Sequence, residues 1–408
     1  MTQDGVRTFL PSSHLAMARP AITRPARHIY YNLEFPSNSA HLCQSTSSIQ
    51  HKISLPFGGD SMSSFRSGAI LAVILLGLSA ITCGQSVAPN STRKREQFRN
   101  AEITYDWVTN PRGQRIRTFV TRPRSVTGKV PTIFFVGWLS CDSVEYPDGE
   151  TDGFGAIFWR LIEQLGFATL RMDKPGVGES EGNCATTDFQ TELDSYRAAF
   201  DSLSKYSFVD QNAIFVVGLS NGGGTSPLSA GQHAVRGFVA ASSWGRTWYE
   251  HMIENERVRL SYDQKMSAAE VNTAIKVFTD FYSLYLIHRM SPGEVIAQHP
   301  EWKALWHDAP DGQYGRPAAF YQQLQDLNLG KAWENVKSPV LVLHGSADTI
   351  MSQSDSRAIA DTVNRVHPGS ASYTEIEGAD HLLTVNNQLS EKVVPTVLAW
   401  IRKQLARN

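Results

Sequence analysis

The sequence predicts an α/β fold: a mostly parallel eight-stranded sheet with helices on both faces and an all-helical segment inserted after the sixth strand. Three observations carry that prediction. Short strand-like runs alternate with helical stretches over residues 101–242 and again over 337–408, the order that builds strand–helix–strand units. The run TIFFV (Thr132–Val136) is continuously apolar, as a strand covered on both faces should be. Over 243–336 the alternation stops and only helix-like patterns remain, among them Val271, Ile275, Phe278, Tyr282 and Tyr285 at helical spacing.

In chain order, strands are expected around Ile103–Val108, Ile116–Thr121 and Thr132–Val136. A helix follows over about Phe154–Leu165, closed by Gly166, and then the strand FATLRMD. A longer amphipathic helix is expected over about Asp188–Leu203, with Leu193, Tyr196 and Phe200 on one face. The remaining strands are Ala213–Gly218, Val235–Ala241, Pro339–His344 and Ser372–Ile376. The helical insertion at 243–336 falls where a lid over the ligand-binding end of such a sheet would arise. No internal repeat is present.

The 408-residue length allows one large domain or two ordinary ones. Hydrophobic residues are 41% and charged residues 19% of the chain, an ordinary soluble balance. A formal net charge of −1, with no long basic run after residue 100, argues against a nucleic-acid-binding surface.

The N-terminal region reads differently. Ala69–Ile81 (AILAVILLGLSAI) is uninterrupted by charge, follows Arg66 and precedes small or polar residues. It is short for a membrane span but fits a signal-peptide core, so residues 62–85 are expected to direct export to the periplasm or outside the cell. A buried core helix is the bland alternative. Residues 1–61, rich in Ser, Pro, His and Arg, read as a disordered leader or as sequence ahead of a true start at Met62, with an organelle transit peptide as rival. Cys83 fits a lipid-attachment site poorly, because Ala80, Ile81 and Thr82 precede it; membrane attachment enters only through its lipidation. Residues 86–100 read as a polar linker. Past the signal only Cys141 and Cys184 remain, an even pair that exported proteins can bridge or leave as free thiols.

Chemistry gathers on three loops. Gly218-Leu219-Ser220-Asn221-Gly222 matches G-x-S-x-G, a weak pattern alone, but the strand AIFVV precedes it and Gly222-Gly223-Gly224 follow. A strand turning sharply into a helix strains the middle residue and lifts its hydroxyl above the sheet edge. A serine hydroxyl needs a base to take its proton. VLVLHGSAD places Asp348, and YTEIEGADH places His381, in loops after the last two strands. The order Ser220, Asp348, His381, each after a strand, suits a nucleophile, an orienting acid and a general base. Asp380, Asp355 and Asp361 are rival acids, Asp380 being awkward as the immediate neighbour of His381.

With these residues the chain from about residue 100 onward resembles an α/β hydrolase with a helical cap, similar to serine aminopeptidase and lysophospholipase-like members. Asp173-Lys174-Pro175-Gly176-Val177-Gly178-Glu179-Ser180 resembles the D-x-x-G-x-G-x-S turn of that family, with an expected structural role in the site wall. The resemblance implies an oxyanion hole made by the N–H of Asn221 and one from the loop after TIFFV. There the family's His-Gly-X is replaced by Val136-Gly137-Trp138, so Trp138 is the candidate, Leu139 the alternative, and the bracing usually given by histidine is missing. The fold also implies that the loops of Cys141 and Cys184 meet, so that a bridge would brace the oxyanion loop.

A serine nucleophile points to acyl transfer to water and away from the fold's aspartate-based chemistries. An ester substrate leads, with a small peptide (aminopeptidase-type cleavage) next and a non-catalytic binding protein as the alternative of another class. Trp244, Trp248, Tyr249, Phe281, Tyr282, Trp302 and Trp306 are expected mainly as cap packing, and otherwise as lining of an apolar pocket. Glu250, Glu254 and Glu256 are expected as a solvated helix face, and otherwise as ligands of a peptide's free amine. No cofactor or metal is expected, since neither H-E-x-x-H nor G-x-x-x-x-G-K occurs.

Overall fold

The computed structural model describes residues 94–407, residues 152 and 165 excepted. The leader, the signal-peptide run, Cys83 and the first part of the expected linker lie outside the described residues. All eight expected strands form: β1 Ala101–Thr109, β2 Arg115–Pro123, β3 Val130–Val136, β4 Ala168–Met172, β5 Val209–Leu219, β6 Gly237–Ala241, β7 Val340–Gly345 and β8 Ala371–Ile376. They build one sheet in the order β1-β2-β4-β3-β5-β6-β7-β8. β2 is antiparallel to both β1 and β4, and every other pairing is parallel.

The continuous apolar runs are explained by two cores. Ile133, Phe135, Phe215, Val217, Leu341 and Leu343 face one side, with residues of helices α1 (Gly153–Ile162) and α10 (Val393–Leu405). Phe134, Val136, Ile214, Val216, Val340 and Val342 face the other, with α2 (Phe189–Asp201) and α9 (Gln353–Val366). α2 starts where the sequence predicts, because the Asp188 side chain accepts the Thr191 N–H and so caps the first turn. α3 (Asn221–Ser229) follows β5 directly.

The inserted segment carries α4 (Trp248–Val258), α5 (Ala268–Tyr282), α6 (Pro292–Gln298), α7 (Ala318–Asp326) and α8 (Leu329–Glu334). It is not wholly helical: Gly312–Gln313 pairs antiparallel with Arg316–Pro317. Tyr314 and Gly315 make the two-residue turn, both at positive φ (46° and 71°), the geometry that suits a tight hairpin. Trp244, Trp248, Phe281, Tyr282 and Trp306 are buried in the same core as α2 and α9, and Tyr249 and Trp302 pack against it. Phe281 stacks on Trp306 with ring centroids 4.8 Å apart. These aromatics therefore pack in a core that the inserted segment shares with the sheet. Among the described residues no helix is long and apolar enough to cross a membrane.

Residues 94–100, expected as the end of a linker, pack against the sheet. Phe98 is buried beside Trp159, and Glu96 is buried in an ion pair with Arg171 on β4. A polar, charged composition hid this because the charge is neutralised inside the fold. Burial pushes the Glu96 carboxyl up from its ordinary value and Arg171 opposes it. Glu96→Gln is expected to destabilise the protein by about 3–5 kcal/mol in urea unfolding, because it strands the buried guanidinium.

Candidate active site

β5 ends at Leu219 and α3 begins at Asn221, so Ser220 takes the whole change of direction, at φ 54° and ψ −125°. A non-glycine residue held at positive φ is strained and persists only where its surroundings fix it. Here the Ser220 N–H donates to Ala241 O (2.9 Å), and the Ser243 hydroxyl donates to Ser220 O (2.8 Å). The flanking glycines permit the close packing: a Cβ on Gly218 would overlap Ser226 and Gly222, and one on Gly222 would overlap the carbonyls of Val136 and Gly137. The first turn of α3 thus lies directly against the loop that follows β3.

Loops after β7 and β8 bring the other two residues to the same edge. His381 Nε2 lies 3.0 Å from Ser220 Oγ, and His381 Nδ1 lies 2.9 Å from Asp348 Oδ2. The Asp348 side chain is wholly buried, and its other oxygen accepts the N–H groups of Ile350 and Met351, each at 2.9 Å. A carboxylate only accepts, so His381 Nδ1 must donate to it, which leaves Nε2 as the acceptor for the Ser220 hydroxyl. The ring of Phe154 meets His381 edge-on, with centroids 5.4 Å apart.

The rival acids are engaged elsewhere. Asp380 accepts from Leu382 and Thr384 and shapes its own turn. Asp355 closes the capping box that Ser352 opens at the start of α9 and pairs with His251 and Arg246; burial pushes its carboxyl up, but those partners outweigh it and hold the group down at about 2. Asp361 is exposed on α9. The cap glutamates are partnered too. Glu250 closes the capping box with Thr247, and Glu254 pairs with Arg246. Glu256, expected on a solvated face, is instead buried, paired with Arg259 and accepting from the Tyr282 hydroxyl.

The loop 137–142, which holds Trp138 and Leu139, is braced by the expected Cys141–Cys184 bridge and also by groups that the sequence did not single out. The Gly137 N–H donates to the Tyr196 hydroxyl (3.0 Å), and Trp138 Nε1 donates to Asp142 (3.1 Å). Lys174 Nζ donates to the carbonyls of Trp138 and Ser140, the latter at 2.9 Å. A disulfide joins Cys141 to Cys184, with Cα atoms 6.0 Å apart. Lys174 lies within the D-K-P-G run, whose motif gave it a position; a lysine otherwise reads as surface. The same turn is structural as expected: Asp173 accepts from Val144 N–H (2.8 Å) and the Ser143 hydroxyl, while burial pushes its carboxyl up to about 7.

The strand order and the helices on both faces define an α/β hydrolase. Residues 150–388 match the family model described as serine aminopeptidase, S33, and the chain belongs to that family of serine hydrolases. Est1E from Butyrivibrio proteoclasticus, solved with ferulic acid bound, superposes with a TM-score of 0.51 at 18% identity, over 74% of this chain and 100% of that one. An esterase of Pyrococcus furiosus (TM-score 0.48, 14% identity, 75% and 92% coverage) and the acylaminoacyl peptidase of Pyrococcus horikoshii (0.48, 13%, 76% and 43%) are also similar. At such identity the Est1E likeness speaks to the fold alone. No curated protein matches the chain significantly in sequence.

Proposed function

We propose that this protein is an exported carboxylic-ester hydrolase that works through an acyl-enzyme on Ser220. The observation that carries the reading is the unbroken line Ser220 Oγ–His381–Asp348, at 3.0 and 2.9 Å. Ser220 Oγ attacks the ester carbonyl while His381 Nε2 takes its proton, and Asp348 stabilises the imidazolium that results. The N–H groups of Asn221 and Trp138 receive the oxyanion, a role supported by the contact between the start of α3 and the loop after β3. His381 then returns the proton to the leaving alcohol. A water, deprotonated by the same imidazole, attacks the acyl-enzyme carbonyl and frees the acid and Ser220. Export is supported by the apolar run 69–81 and by the Cys141–Cys184 bridge, a bond that persists in oxidising compartments.

The second reading is aminopeptidase-type cleavage, favoured by the description of the matching family. The cap carboxylates weigh for the ester: an amine-binding group must be free, and Glu250, Glu254 and Glu256 each hold another partner. Turnover of p-nitrophenyl acyl esters by the full chain is expected to exceed that of aminoacyl p-nitroanilides by at least about 100-fold in kcat/KM. The reverse preference would transfer the assignment to the peptidase reading. Absence of labelling by a fluorophosphonate probe would remove both.

A further inference from the structure

We propose that Lys174 is a positioning residue for the oxyanion loop, which holds the peptide plane bearing the Trp138 N–H in its working orientation. The inference rests on the reading of Ser220 and Trp138 given above. It starts from peptide geometry. A peptide unit is planar and trans, so fixing one carbonyl or N–H fixes the whole unit. The Gly137 N–H is held by Tyr196, which fixes the plane before Gly137. Lys174 Nζ holds the Trp138 carbonyl, which fixes the plane after Trp138, and the Ser140 carbonyl, which fixes the plane after that residue. The plane that carries the Trp138 N–H lies between two anchored neighbours. Its own carbonyl, on Gly137, abuts Gly222 in the first turn of α3.

A lysine in this place is unusual in its setting. It is 4% exposed at the C-terminal end of β4, the strand paired with β3 in the sheet. Its charge is answered by Glu192 of α2, 3.5 Å away, and Glu192 also pairs with Arg316 from the cap hairpin. The charged groups that face Lys174 are Glu192, Arg316 and Asp142. Burial draws the ammonium down to about 8, with Glu192 opposing. Arg316 also reaches the sulfurs of the Cys141–Cys184 bridge, so α2, the hairpin and the loop meet at one buried cluster. A lysine serving stability alone has no reason to place its ammonium on two carbonyls of the loop that holds the oxyanion donor. Charge-assisted bonds of this kind are about twice as strong as neutral ones.

The test uses the full chain and two substitutions. Lys174→Met keeps the length and removes the donors; Glu192 retains Arg316, so no buried carboxylate is left unpaired. Lys174→Gln keeps one amide donor. Since loss of one oxyanion donor typically lowers kcat by about 10²–10³-fold, loosening its support is expected to lower kcat on a p-nitrophenyl ester by about 30- to 100-fold for Met. Gln is expected to fall between Met and the natural residue, with KM changed less than about threefold in both. Affinity for an acyl trifluoromethyl ketone, whose hemiketal presents an oxyanion, should fall by the same factors as kcat. Stable variants with undiminished kcat and ketone affinity would overturn the proposal. So would losses in KM or melting temperature without the parallel fall in ketone affinity. If Lys174→Met does not fold, the same comparison is made with Gln against the natural protein. Ser220→Ala separates the two levels: retained ester turnover there would remove the active-site reading, whereas an inactive Ser220→Ala beside unaffected Lys174 variants would remove the positioning role alone.

Discussion

Replacing Ser220 with alanine is expected to lower kcat for ester hydrolysis by about 10⁵- to 10⁶-fold, the largest effect of any single change in the molecule. In the proposed mechanism no acyl-enzyme can form without Oγ, and the remaining rate would come from water attacking an ester held against the proposed oxyanion donors. The substitution should leave the fold intact. The backbone at 220 is already strained with a Cβ in place, and alanine carries the same Cβ. Nor does the fixing of that strain depend on the hydroxyl, since the Ser220 N–H is held by Ala241 O and its carbonyl by Ser243. The measurement is kcat at saturating ester, with fluorophosphonate titration to quantify any contaminating active enzyme, and the melting temperature as control. A loss smaller than about tenfold would mean that another group attacks the ester.

How much of this was legible in the sequence depends on the distance over which each residue acts. The strands could be read because burial on both faces demands continuous apolar runs, and β3 and β5 are written that way. Ser220, Asp348 and His381 could be read because each follows a strand, and a parallel sheet carries the ends of its strands to one edge. Asp348 was separable from Asp355 and Asp361 by its loop position, and of the candidates it is the one hydrogen-bonded to His381. The cap was legible as helices, and Thr247/Glu250, Ser267/Glu270 and Ser291/Glu294 are capping boxes that mark where three of them start.

Groups that act through charge neutralisation were not legible. Glu96, Glu192, Glu256, Lys174 and Arg316 are all buried, yet each carries a side chain that composition assigns to the surface. Most of their partners lie far away in sequence: Arg316 and Glu192 are joined across the cap and α2, Glu96 and Arg171 across the start of the domain and β4, whereas Glu256 pairs with Arg259 only three residues on. No periodicity announces such pairs. The family's histidine is absent after β3, and besides the Cys141–Cys184 bridge the loop that follows is held by Tyr196 and Lys174, from two different elements that no sequence pattern links to it.

Asp348→Asn is expected to lower kcat by about 10⁴-fold at neutral pH while leaving the geometry of the site nearly unchanged. The cause is a forced tautomer. One oxygen of residue 348 receives the N–H groups of Ile350 and Met351, and only an acceptor can stand there. An asparagine must therefore put its carbonyl oxygen in that place and turn its amide NH₂ towards His381 Nδ1. The imidazole then has to accept at Nδ1 and carry its proton on Nε2, the atom 3.0 Å from Ser220 Oγ. A protonated Nε2 cannot take the serine's proton, and the imidazolium needed in the transition state loses its carboxylate. The Asp380→Asn variant gives the contrast, because Asp380 serves the turn around Thr384 and does not touch the imidazole. Steady-state kcat for both variants, compared at matched melting temperature, reads the difference; a collapse in Asp380→Asn with Asp348→Asn near the natural rate would give the orienting role to the neighbouring aspartate.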